Sequence, residues 1–201
     1  VYNELEQQTK MTSLYQAMYD QDILTSESEL VTLASLKLSE ENPYKASEVM
    51  KKGFDSGVIK KNLKNYRTYA QALYAAREYE DALVPLREAA KLSSDGKLYD
   101  QLGQSYLALN RWKEAESAFK SALSKGKLGD GIGNTKVSLG SVQFEQKNYE
   151  AAIKTFQSAT QHDKVSEIAG KWAKYVDNEV MRLAELRKEI VINTDVEPVS
   201  G

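Results

Sequence analysis

The chain has 201 residues, of which 41% are hydrophobic and 28% charged, and its formal net charge is −2 at pH 7. Such a chain can bury a core, and it generates no global field that would draw it to nucleic acid or to anionic lipid. With no cysteine and a single histidine, it has no means of forming a disulfide, a thiol nucleophile or a Cys/His metal site.

The chain begins at Val1 and enters a helical pattern almost at once, as expected of a piece cut from a longer protein. Leu5 to Tyr19 reads as a helix with Met11, Leu14, Tyr15, Met18 and Tyr19 on one side. Residues 1–25 as a whole read as the remnant of a preceding helical repeat. Ser26 and Glu29 have capping-box spacing at the start of a helix carrying Leu30, Leu33, Ala34 and Leu38. Pro43 suits the first turn of its partner, where a missing N–H does no harm. That partner carries Ala46, Val49 and Met50 and is expected to end near Gly53 or Gly57.

A second pair spans Leu63 to Leu92, marked by Tyr66, Tyr69, Ala70 and Leu73, then by Ala82, Leu83, Leu86 and Ala89. Asp95-Gly96 turns into a third, with Tyr99, Leu102, Gly103 and Tyr106 followed by Ala115, Phe119 and Ala122. The glycine-rich stretch Gly126 to Gly133 leads to a last pair. Val137, Leu139, Gly140 and Phe144 mark its first helix, and Ala152, Ile153, Phe156 and Ala159 its second. From Val165 to about Ile190 one long helix carries Ile168, Trp172, Val176, Val180, Leu183 and Ile190 at three- and four-residue steps. It is expected to cap the array, or to dock a partner or a second copy along Val180 to Ile190. No run of about 18 apolar residues occurs, so no membrane-spanning helix is predicted.

Ala46, Ala82, Ala115 and Ala152 lie 36, 33 and 37 residues apart. Around the last three, an aromatic stands three residues before the alanine (Tyr79, Trp112, Tyr149). A bulky apolar residue stands four after it (Leu86, Phe119, Phe156), and a second alanine seven after it (Ala89, Ala122, Ala159). A period near 34 with this order marks stacked helical hairpins.

These residues resemble the tetratricopeptide repeat (TPR) family, best at Tyr99, Leu102, Gly103, Tyr106, Trp112, Ala115, Phe119 and Ala122. In the unit after it, Gln143 stands where an aromatic is usual. The resemblance implies an all-α fold, a TPR-like right-handed superhelix of antiparallel helix pairs with a long C-terminal capping helix. Residues 26–62 would form a degenerate TPR-like repeat, 63–95 a TPR, 96–132 a TPR with a glycine-rich loop and 133–164 a further TPR. Residues 165–192 would be the capping helix and 193–201 a flexible tail.

A narrower set of fragments is similar to periplasmic TPR proteins described as components of the TonB system. They are Leu24-Thr25 before Glu29-Leu30, Asn42-Pro43-Tyr44-Lys45-Ala46, Ala75-Ala76-Arg77-Glu78, Leu92-Ser93 with Asp95-Gly96, Arg111-Trp112, Ala122-Leu123 with Lys125-Gly126, and Trp172. That likeness implies a periplasmic accessory of TonB-dependent transport, with TonB-complex components as partners. A general envelope or cytosolic assembly scaffold or co-chaperone, or the sensing part of a larger regulator, is the alternative. Absence of cysteine suits periplasm and cytoplasm equally.

No enzyme, metal or cofactor is expected. His162 stands alone near a helix end, read as solvated there. Gly126 to Gly133 lacks the Lys-Ser or Lys-Thr pair that a phosphate loop needs after its last glycine. The basic stretch Lys51, Lys52, Lys60, Lys61, Lys64 and Arg67 reads as a solvated face or a site for an acidic segment.

In the family, the first helix of each pair lines a concave groove. By that resemblance the groove presents Lys64, Arg67, Gln71 and Tyr74, then Lys97, Asp100, Gln104 and Leu107, then Val137, Ser141 and Phe144. Cations and amides at one end and apolar side chains at the other suit a peptide with an acidic and an apolar end. Tyr74 and Phe144 are the expected anchors, and the alternative for Leu107 and Phe144 is packing between repeats. The places used by chaperone-tail-binding TPRs carry Arg67, Gln71, Gln101, Asn134 and Ser138, which departs from that clamp.

Overall fold

The computed structural model describes residues 2–194. They form ten α-helices: α1 (Tyr2–Asp20), α2 (Glu27–Ser39), α3 (Pro43–Asp55), α4 (Leu63–Ala75), α5 (Tyr79–Leu92), α6 (Lys97–Ala108), α7 (Trp112–Lys125), α8 (Ile132–Glu145), α9 (Tyr149–Ala159) and α10 (Ser166–Thr194). The pairs α2–α3, α4–α5, α6–α7 and α8–α9 stack in chain order, each second helix also packing on the next first helix. The result is the all-helical TPR-like superhelix, closed by α10 on α9.

Local chemistry sets the helix ends. The Ser26 hydroxyl accepts from the Glu29 N–H while the Glu29 carboxylate accepts from the Ser26 N–H at 3.0 Å, the capping box at α2. Asn42, Asn62 and Asn148 cap α3, α4 and α9 by accepting the N–H three residues on. Pro43 occupies the first turn of α3.

The turn inside every pair has one conformation. Glu41, Arg77, Asn110 and Lys147 take positive φ, between 56° and 62°. Each donates its N–H three residues back, and the following N–H reaches five residues back, as in Arg77 to Tyr74 and Glu78 to Leu73. This is a Schellman ending carried by residues other than glycine. The four turns are spaced 36, 33 and 37 residues apart, as the core alanines are. So 26–62 is a hairpin of the same geometry, although its residues fit the TPR pattern poorly.

The core repeats a pairing of residues 16 apart: Gly103 meets Phe119 and Gly140 meets Phe156, while Ala34 and Met50 share one core cluster and Ala70 and Leu86 another. All eight positions are buried. Where the partner is phenylalanine the small residue is glycine, and the reason is spatial. A Cβ on Gly103 would lie 2.6 Å from the Phe119 ring, and one on Gly140 would lie 2.8 Å from the Phe156 ring. Where the partner is Leu or Met, alanine fits.

Three expectations change, and the Gln143 departure finds its setting. Met11 and Leu14 of α1 face out while Tyr15, Met18 and Tyr19 join the first core cluster, so the apolar side of α1 is only partly covered. His162 is only partly solvated. The turn Asp163–Val165 folds back onto α8, the ring lies beside Gly133, and its Nε2 is buried without a hydrogen-bond partner. Gln143 replaces the usual aromatic within a buried polar network. It accepts from Thr155 Oγ1 at 2.7 Å and donates to Glu116, which also accepts from Gln146 at 2.7 Å. Helix α10 extends through Thr194, so residues 193 and 194 of the predicted tail are helical, and 195–201 lie outside the described residues.

Helix α10 has 29 residues and α9 has 11. Val165, Ala169 and Val176 are buried beneath the last pair, but Val180, Met181 and Leu186 are exposed, so the helix outruns the stack. The side chain of Ile190 lies outside the described residues.

Two outcomes test this packing. Gly103→Ala should destabilise the protein by about 1–3 kcal/mol through overpacking, and adding Phe119→Leu should recover part of that loss, read as a double-mutant cycle in urea unfolding. Lys147→Gly should stabilise by about 0.5–1 kcal/mol, because a left-handed residue with a Cβ is strained, seen as a raised melting temperature.

Candidate interaction groove

The first helices follow one another along the stack, and polar cross-links join α2 to α4 and α6 to α8. Asn65 donates to Glu27 at 2.6 Å, Thr135 donates to Asp100 at 2.7 Å, and Gln104 donates to Ser138 at 2.9 Å. These bonds hold the inner face as a floor in which equivalent positions align, because repeats stack in register. Lys64, Arg67, Gln71 and Tyr74 therefore continue into Lys97, Asp100, Gln104 and Leu107, and then into Val137, Ser141 and Phe144.

The structure divides these residues into two sets. Lys64, Arg67, Gln71 and Lys97 are exposed. Among the described residues, Lys64, Arg67 and Lys97 have no carboxylate partner. The rest are partly committed to the fold. Asp100 and Gln104 are engaged by Thr135 and Ser138, and Ser141 donates to the Val137 carbonyl at 3.1 Å. Leu107 and Tyr74 pack against the central core, with Tyr74 edge-on to Tyr79 at 5.6 Å. Val137 packs beside α9 and α10. Phe144 lies 5.6 Å from Tyr149, 6.3 Å from Trp172 and 5.8 Å from Tyr175, ring centre to ring centre. Phe144 thus packs on one side and borders a cleft on the other.

Two parts of the floor escaped the sequence reading. At one end, Ser26, Glu27, Ser28, Val31 and Thr32 of the α2 region face Asn62, Lys64 and Asn65 across a cleft of about 600 Å³. At the other, Phe144 faces Ile168, Lys171, Trp172 and Tyr175 across an apolar cleft of about 390 Å³. The signal for the second was present: Lys171 and Tyr175 follow Val137 and Ser141 by 34 residues. The expected docking stretch of α10, Val180 to Ile190, lies beyond these residues.

The basic stretch is not one patch. Lys51 pairs with Asp55 and Lys52 with Asp22, whereas Lys64 and Arg67 stay unpaired on the floor. Electrostatics also mark Asp100. Burial raises its carboxyl above the ordinary range, and the Thr135 hydrogen bond only partly opposes that. Glu116 shows the opposite balance. Burial would raise it, but hydrogen bonds from Lys120, Gln146 and Gln143 together lower it. Among the described residues no cluster of His, Cys, Asp and Glu could hold a metal ion.

The sign for Asp100 follows from linkage. A carboxyl raised in the folded state costs stability above its folded pKa, and the cost vanishes below the unfolded value near 3.8. Asp100→Asn should therefore raise the melting temperature at neutral pH, with the gain shrinking as pH falls toward that value. An equal gain at both ends of the pH range would place its cause elsewhere.

Comparison with known proteins agrees with this architecture. The tetratricopeptide-repeat profile matches residues 96–124 and 134–164. No curated protein matches the sequence significantly. Among solved structures, a crystal structure of MamA superposes with a TM-score of 0.63 at 19% identity, covering 78% of this chain and 88% of that one. YrrB, described as a TPR protein with an unusual peptide-binding site, superposes with a TM-score of 0.69 at 16% identity, covering 86% of each chain. The α6–α7 and α8–α9 hairpins match the tetratricopeptide-repeat profile and lie within an all-helical TPR-like superhelix.

Proposed function

We propose that the chain is a non-catalytic protein-interaction scaffold that holds a peptide or protein segment along its inner face. The observation that carries this reading is the floor itself: exposed, unpaired Lys64, Arg67 and Lys97 beside the half-buried Tyr74, on helices locked in register. Preformed, half-exposed aromatics add contact area at small entropic cost, and unpaired cations supply orientation. YrrB, similar in fold, is described as having a peptide-binding site, and this supports the same use here.

The biological setting we propose is an accessory role in TonB-dependent transport, in the periplasm. Its support is the run of short sequence fragments from Leu24-Thr25 to Trp172, and a TonB-complex component is then the partner.

A photo-cross-linker at Tyr74 in the full-length protein, followed by mass spectrometry, tests both layers. Recovery of TonB or its inner-membrane partners supports the transport role. Recovery of unrelated envelope or cytosolic proteins keeps the scaffold and removes TonB. In parallel, replacing Arg67 and Tyr74 together by Ala should weaken capture by more than about tenfold, the scale of a hot-spot loss, with helicity unchanged. Unchanged capture would move the site off this face.

A further inference from the structure

We infer that α10 is a wall of the groove as well as its cap, and that its cleft with Phe144 takes a bulky apolar side chain from an acidic, extended protein segment. This rests on the scaffold reading above and adds the place and chemistry of the anchor.

The cleft is built from rings already fixed by packing. Trp172 stacks on Phe156 at 5.7 Å with an interplanar angle of 11°, and Tyr175 stands edge-on to Trp172 at 5.7 Å and 89°. Its walls therefore lose little freedom when a ligand arrives. A cap should turn polar side chains outward. Here Ile168 and Tyr175, two turns apart on one side of α10, remain 50% and 52% exposed. They face the space in front of Phe144 and Trp172.

Register places this cleft on the floor. Ile168, Lys171 and Tyr175 follow Asn134, Val137 and Ser141 by 34 residues. Those three follow Lys97, Asp100 and Gln104 by 37, which follow Lys64, Arg67 and Gln71 by 33. The cleft is the apolar end of one continuous track whose far end carries the cations Lys64, Arg67 and Lys97.

Charge selects the occupant. Each second helix ties a lysine to its own carboxylate: Lys45 with Glu48, Lys51 with Asp55, Lys91 with Glu88, Lys120 with Glu116, Lys154 with Glu150. On the floor, Lys64, Arg67 and Lys97 have no such partner among the described residues. Nearby carboxylates are engaged elsewhere, Glu27 by Asn65, Asp100 by Thr135 and Asp95 by the Lys97 backbone N–H. A segment with carboxylates along the track neutralises these cations, and a neutral or basic one does not.

The test uses Trp112→Phe protein, which leaves Trp172 as the one indole of the two in the chain. The probe is a synthetic peptide with a run of glutamates next to a Leu-Phe pair, made in both orders. Binding should shift Trp172 emission and weaken with salt. Affinity should fall by more than about tenfold when Gly-Gly replaces Leu-Phe, when Gln replaces Glu, or when the protein carries Ile168→Glu or Tyr175→Glu. Both substituted positions are half exposed, so circular dichroism should be unchanged. Binding that leaves Trp172 emission unaltered and tolerates Ile168→Glu overturns the cleft while leaving the scaffold intact. Absence of binding by either peptide overturns the stated chemistry, with the Tyr74 cross-link as the separate test of the scaffold. A dimer in sedimentation that Ile168→Glu dissociates would show that a second copy covers the cleft, and would also overturn the inference.

Discussion

The close crossing of two helices within each pair is the constraint on which the remaining structure depends. At each crossing a large buried residue meets a small one 16 positions earlier, and their sizes are reciprocal. Phe119 and Phe156 face glycine, and Leu86 and Met50 face alanine. Interiors are close-packed, so the sum of the two volumes fixes the distance between helices. A similar summed volume in every pair allows the pairs to stack in register. That register brings Thr135 to Asp100 and Ser138 to Gln104, and so makes a floor from separate helices.

This constraint also explains what was legible in the sequence. A crossing demands glycine or alanine at one place and a bulky apolar residue at another, so the pairs from 63 to 164 could be read directly. The pair at 26–62 was harder because Met50 and Ala34 satisfy the volume rule with other residue types. Its turn at Glu41 matches the other three in geometry, although the four positive-φ residues are all of different types. Helix α10 has no second helix of its own, so no small–large pair betrays its register. Its contribution to the inner face was therefore missed even though its spacing was regular. Gln143 and His162 were opaque for another reason. Their burial depends on partners such as Thr155, Glu116 and Gly133, which only the folded chain brings near.

The candidate groove residues illustrate a division of labour along one face. Positions facing a neighbouring first helix are consumed by cross-links, as Asp100 and Gln104 are. Lys64 and Lys97, one turn away, keep their side chains free among the described residues, and so does Arg67, although it stands in the place equivalent to Asp100. Periodicity nominates both sets alike, because it reports which face a residue is on and not whether its hydrogen bonds are already taken. The separation needs coordinates. The surviving free set is cationic and the far end aromatic, a sharper pattern than the full nominated list.

Helix α10 also acts as a lever. At about 1.5 Å per residue it is roughly 43 Å long, against roughly 16 Å for α9. Beyond Glu179, few tertiary contacts support it, and local ion pairs such as Arg182 with Glu179 take their place. A strut of this kind sets a minimum stand-off between the repeats and anything joined at its far end. Because an unsupported helix melts gradually from its tip, that stand-off is a graded, temperature-dependent length rather than a fixed one.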